Sequence, residues 1–180
     1  MTVGRASFSL ADAFGLLDPI RTLKLRFDRA LAYEGTEMDT RELSGVCCER
    51  NADTAAHRAA IEAILTAGVN IQEADKNGVT PLHHAVRFRS PTAVETLLSH
   101  GAAVNHTCKR SGSTALHRAV TSSGAPGTAG KADEARQIIE ILLRYGADPS
   151  IVNKRGKRAI DYVRDEKLRR LLETGPVKRS

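Results

Sequence analysis

The chain has 180 residues, of which 41% are hydrophobic and 27% charged; this balance is globular rather than disordered and fits one folded unit or a short repeat array. No apolar run approaches the roughly 20 residues that span a bilayer. The three cysteines, Cys47, Cys48 and Cys108, form neither an even framework nor a CxxC set, so neither a membrane protein nor a disulfide-stapled secreted one is expected. A net charge of +6 points to acidic partners, nucleic acid among them, and aromatics at 4% with no tryptophan leave an aliphatic core.

Residues 1–38 come first. Asp12 and Asp18 interrupt the stretch from Phe8 to Ile20, so it is no signal-peptide core. Asp18 is placed to cap a helix with Pro19 at its first position, and Ile20, Leu23, Phe27, Ala30 and Leu31 recur at helical spacing until Gly35. One amphipathic helix is expected here, capping the apolar end of the segment that begins at residue 39.

Residues 39–72 hold a degenerate copy of a pattern that becomes clear further along the chain: RAAIEAILTAG, from Arg58 to Gly68, reads as a helix stopped by glycine. From 75 to 107 the pattern is complete. Ser90 caps, Pro91 takes the first helical position, Val94, Leu97 and Leu98 form one apolar face, and Gly101 ends the helix. From 108 to 152 it repeats: KRSGSTALHRAV aligns Thr114, Ala115, Leu116 and His117 with Thr80, Pro81, Leu82 and His83, and IIEILLRYGADPS aligns Leu142, Leu143 and Gly146 with Leu97, Leu98 and Gly101. Ile138, Ile139, Ile141, Leu142 and Leu143 are too apolar for a solitary surface helix and require cover on more than one side. In 153–173, Gly156 keeps the glycine position while Arg158, Ala159, Ile160 and Asp161 replace the tetrad; residues 174–180 are a tail.

Two departures stand out in the third copy. Leu116 and Leu142 are 26 positions apart, against 15 for Leu82 and Leu97, and the excess falls in SSGAPGTAGK, residues 122–131, whose glycines and proline cannot sustain a helix. A loop is expected there. Gly130 and Lys131 look like the end of a phosphate-binding loop, but Ala125 and Ala132 stand where that motif needs glycine and a hydroxyl. The second departure is one extra residue in the turn before the tetrad: Asn105 to Gly112 spans seven steps, Gln72 to Gly78 and Ser150 to Gly156 six.

A period of about 33 residues with a T-P-L-H-x-A signature resembles the ankyrin family, and Gly68 and Gly101 are 33 positions apart. The resemblance covers about 39–173. It implies an all-α repeat solenoid, an ankyrin-repeat array of about four helix-pair repeats with β-hairpin-like tips, here with an N-terminal capping helix. It also implies that His83 and His117, with their threonines, brace the entry to each first helix. The implied function is protein binding without catalysis, as an adaptor, scaffold or inhibitor in the cytoplasm, with no cofactor and no metal.

In such arrays the tips and the outward side of each first helix form a concave binding surface. Carried onto this chain, that surface comprises Lys76, Asn77, Val79, Arg87 and Phe88, then Arg110, Ser111, Ser113 and Thr121, then Lys154, Arg155 and Lys157. The stripe is basic, so the expected partner is an acidic protein surface, met by a monomer. Phe88 is either an aromatic anchor or a core residue. Two rival readings remain. One is nucleic-acid binding through the basic last repeat, which lacks interleaved aromatics. The other is a cysteine-based enzyme using Cys47, Cys48 and His57, a set with neither an orienting third group nor zinc-ligand spacing.

Overall fold

The computed structural model describes residues 40–48, 53–121 and 132–174, all within one compact unit. The helix expected after Asp18 and the loop at 122–131 lie outside the described residues.

Seven α-helices form among these residues: α1 (Thr40–Cys47), α2 (Thr54–Thr66), α3 (Pro81–Arg87), α4 (Pro91–Ser99), α5 (Ala115–Thr121), α6 (Ala132–Arg144) and α7 (Glu166–Thr174). A 3-10 turn, Ala159–Tyr162, precedes α7. Local chemistry sets the starts. The Asp53 carboxylate accepts from the amides of Ala55 and Ala56 to open α2, and the Ser90 hydroxyl accepts from Ala93 N at 3.2 Å to open α4. Pro81 and Pro91 occupy first-turn positions, where a missing N–H costs nothing.

The helices stack in two layers. α1, α3, α5 and the 3-10 turn follow one another in the first, while α2, α4, α6 and α7 follow in the second. Leu43, Leu82 and Leu116 from the first layer meet Ile61, Leu97, Ile138, Ile139 and Leu142 from the second in one aliphatic core, all 2% exposed or less. The apolar run in α6 thus finds the cover it requires, from α4, α5 and α7. This is the all-α repeat array expected from the sequence. Across the outer layer Glu95 of α4 lies between Arg58 of α2 (3.9 Å) and Arg144 of α6 (3.7 Å), linking three second helices at the surface.

The last repeat departs from a helix pair. Pro81 and Pro91 start the two helices of the second repeat ten positions apart, whereas Ala159 and Glu166 start the last pair seven apart. About one helical turn is missing. Asp165 already caps α7 through Lys167 N at 2.7 Å, so the segment from Ala159 has room for a single 3-10 turn.

Candidate partner-binding surface

The second, third and last repeats each open with a tip, and the residue at its base decides its chemistry. In the second repeat the Asp75 carboxylate accepts from Asn77 N (2.8 Å) and Val79 N (2.9 Å), and the backbone closes between Asp75 N and Val79 O. Burial pushes the Asp75 carboxyl up, but the Val79 and Asn77 hydrogen bonds and the nearby His84 outweigh it, and the group titrates below its ordinary range. In the last repeat Asn153 copies this frame: its Oδ1 accepts from Arg155 N and Lys157 N, and its Nδ2 donates to the Tyr162 hydroxyl at 2.9 Å.

The third tip is different. Cys108 occupies the base, the backbone closes five positions later at Ser113 instead of four, and the turn is bonded from Gly112 N to Cys108 O, one residue wider than Gly78 N to Asp75 O. Here lies the extra residue read from the sequence. The Cys108 thiol lies 2.9 Å from the Ser111 hydroxyl and 3.8 Å from the Arg118 guanidinium. Burial raises the thiol's pKa, yet these two contacts, with backbone hydrogen bonds from Ser111 and Ser113, bring it below the ordinary cysteine value.

Tips and first helices are tied together by the tetrad histidines. The Thr80 hydroxyl donates to His83 Nδ1 at 2.8 Å, leaving Nε2–H to donate to the Ser113 carbonyl of the next tip (3.3 Å). Thr114 and His117 repeat the arrangement toward Lys157 O at 3.0 Å. Both rings are buried, and desolvation, followed by the Arg118 charge, lowers His83 to about 4. The bracing role implied by the resemblance is what these bonds do. Neighbouring tips also touch directly, Arg110 N donating to Asn77 O and Lys154 N to Ser111 O. That approach needs glycine: a Cβ on Gly78 (φ +74°) would lie 2.5 Å from Lys109 N.

The candidate binding residues fall into two groups. Arg110, Ser111, Ser113, Thr121, Lys154 and Arg155 line one groove of about 370 Å³ between the third and fourth tips, together with His117, Arg118, Asn153 and Tyr162. Lys76, Asn77, Val79, Arg87, Phe88 and Lys157 lie outside it. Lys76, Arg87 and Lys157 are exposed; Phe88 is half-buried at the end of α3, with the Arg87 guanidinium 6.0 Å from its ring centre. Several of these residues contribute backbone as well as side chain, since the carbonyls of Asn77, Ser111, Ser113 and Lys157 are the acceptors that hold tip to tip and tip to helix.

Within the cysteine cluster, Cys47 has the wrong chemistry for a nucleophile. Burial, then the neighbouring Cys48, pushes the Cys47 thiol up to about 12, and His57 donates Nε2–H to Val46 O at 2.9 Å. An activated thiol requires the opposite shift. Among the described residues no three His, Cys, Asp or Glu side chains are grouped to hold a metal ion, and no helix is long and apolar enough to cross a membrane.

Stacked helical hairpins whose tips and first helices share one polar face define a repeat-built interaction scaffold. The family model describing ankyrin repeats matches residues 52–153 as three copies, and the chain belongs to the ankyrin-repeat family. It is 36% identical over 118 residues to ankyrin repeat and SOCS box protein 11 of Danio rerio, covering 66% of this chain and 36% of the relative. With the B-cell lymphoma 3 protein homolog of Mus musculus it shares 31% identity over 143 residues, 74% of this chain and 29% of the relative. The chain thus spans about a third of the length of these relatives. Among solved structures, the ankyrin repeat domain of Bcl-3, described as a unique member of the IkappaB protein family, superposes with a TM-score of 0.54 at 28% identity, covering 67% of this chain and 50% of that one. Ankyrin repeats are protein–protein interaction modules, and the family and fold are typically non-enzymatic.

Proposed function

We propose that residues 39–173 act as an intracellular adaptor, scaffold or inhibitor module that docks, as a monomer, onto an acidic surface of a protein partner through the tips and first helices. The observation that carries this reading is a charge imbalance. Arg110, Arg118, Lys154 and Arg155 line one groove, and none of them forms an ion pair among the described residues, whereas Glu95, Asp161 and Glu166 each pair with arginines elsewhere. Unpaired cations sharing a groove attract an acidic partner and accelerate its encounter. Phe88, beside Arg87, supplies apolar contact at the edge of the same face.

The test begins with affinity capture from cell extract at low and high salt, followed by association and dissociation rates for the captured partner. Reversing Arg87, Arg110 and Arg155 to Glu is expected to slow association, most strongly at low salt, with little change in folding. Phe88→Ala is expected to raise the dissociation rate with little salt dependence. Binding that ignores these changes but is lost with Arg136→Glu, in the second-helix layer, would place the partner on the other face. Nucleic acid competes for the same cations, and a steep salt dependence on random duplex DNA would favour it.

A further inference from the structure

The three tips can be read in register, each base residue against the side chain that follows the tetrad: Asp75 with His84, Cys108 with Arg118, Asn153 with Tyr162. The first pair carries its own negative charge. In the second pair a guanidinium has replaced the imidazole and a thiol the carboxylate, and the third pair is neutral. Positive charge therefore accumulates between the third and fourth tips, bounded by Asp75 before it and Asp161 after it.

We infer that this groove recognises a phosphorylated serine or threonine side chain of the protein partner, an inference that rests on the docking reading above. Four cations face a volume of about 370 Å³, near the lower end of the roughly 300–1,000 Å³ of small-ligand sites. That is room for a side chain and its head group. A carboxylate brings one charge and two oxygens; a phosphate monoester brings about −1.5 to −2 and three acceptor oxygens, a better match to four cations. Arg118 is held by Cys108 at the side of the groove and offers the planar fork that pairs with phosphate oxygens, while the Ser113 hydroxyl adds a neutral donor. A nucleic-acid backbone would continue its charge along the tips. Here that track is interrupted at Asp75, and Tyr162 is the one Phe, Tyr or Trp among the described residues that line the groove.

Fluorescence polarisation on the full chain tests this with peptide pools of fixed phosphoserine and degenerate flanks, beside matched pools carrying Ser or Glu, and with random duplex DNA. The phosphoserine pool is expected to bind at least about tenfold more tightly than either matched pool, the size of one charge-assisted hydrogen bond. Inorganic phosphate should compete at millimolar concentration. Arg118→Lys and, separately, Arg155→Ala should each remove most of the gain, with circular dichroism melts confirming the fold; Arg155 is exposed and its side chain holds nothing in place. Equal binding of the Glu and phosphoserine pools would overturn the inference, as would a gain that survives both variants or tighter binding of duplex DNA. Should the captured partner still respond to the Arg110 and Arg155 reversals while phosphoserine gives no gain, phosphate recognition falls and the docking reading stands. A partner indifferent to those reversals sinks the docking reading itself.

Discussion

In the second tip a carboxylate closes a four-position loop from Asp75 to Val79, while in the third a thiol closes a five-position loop from Cys108 to Ser113. Both tips present a glycine to the next one and a carbonyl to a histidine, Gly78 O to the half-buried His106 and Ser113 O to the buried His83. Charge and width set the two tips apart. One position can therefore serve stacking in every repeat and still set the surface chemistry, because the backbone carries the stacking and the side chain at the tip's base carries the charge.

The contrast between the two tips is tested hardest at their glycines. A methyl on Gly78 would lie 2.5 Å from Lys109 N, and one on Gly112 3.0 Å from Lys154 N. Gly78→Ala is expected to cost about 4 kcal/mol, combining left-handed strain with a backbone clash, and Gly112→Ala less. Gly101→Ala, at φ +87° in open space, should cost only about 1 kcal/mol. Equal losses in denaturant melts would mean that the third tip is no roomier than the second.

A second test uses acid. His83 titrates at about 4 in the fold against 6.5 when free, so between those values the unfolded chain binds a proton that the folded one does not. Its contribution is complete above about pH 6.5 and is lost as pH falls toward 4, some 3 kcal/mol in all. Melting temperature should fall through that window, and His83→Gln, though less stable at neutral pH, should flatten the slope. A parallel pH profile for the variant would assign the acid sensitivity to other groups.

Cys108→Asp converts the third tip toward the second. Restoring a carboxylate beside Arg118 is expected to weaken the phosphoserine pool about tenfold, roughly 1.4 kcal/mol, and unchanged affinity would show that Arg118 does not govern the groove. The smallest effect belongs to the outer layer, which the tips do not touch. Glu95→Gln should cost less than about 1 kcal/mol, since both arginines of that triad are exposed and Glu95 is partly so. Because Glu95 bridges three helices, Arg136 is the cleaner control for a variant on the second-helix layer.

The fold was legible because its signals are local. Thr80 to His83 and Thr114 to His117 mark helix entries, Ser90 and Pro91 a second entry, and the spacing of the glycines the period. The shortened first element of the last repeat was not, because it depends on how soon Asp165 starts the next helix. For the candidate surface, the tip residues Arg110, Ser111, Lys154 and Arg155 could be carried over by position. Arg118, Asn153 and Tyr162 were missed, since each enters the groove only when one repeat's helix is set against its own tip and the tip of the next. A signal was present: the residue after each tetrad histidine changes from His84 to Arg118, and the base of the tip from Asp75 to Cys108, two substitutions that gain meaning only when read together.

The tetrad histidines also give the array a direction. His83 and His117 each donate to a carbonyl that lies C-terminal, in the following tip. Removing the last repeat takes away the acceptor of His117 Nε2–H, a hydrogen bond worth about 1 kcal/mol, whereas removing the first takes the acceptor of neither tetrad histidine. During synthesis from the N-terminus, each newly emerged repeat waits for its acceptor until the next tip follows. The His117 bond to Lys157 O therefore forms only after residue 157 has left the ribosome.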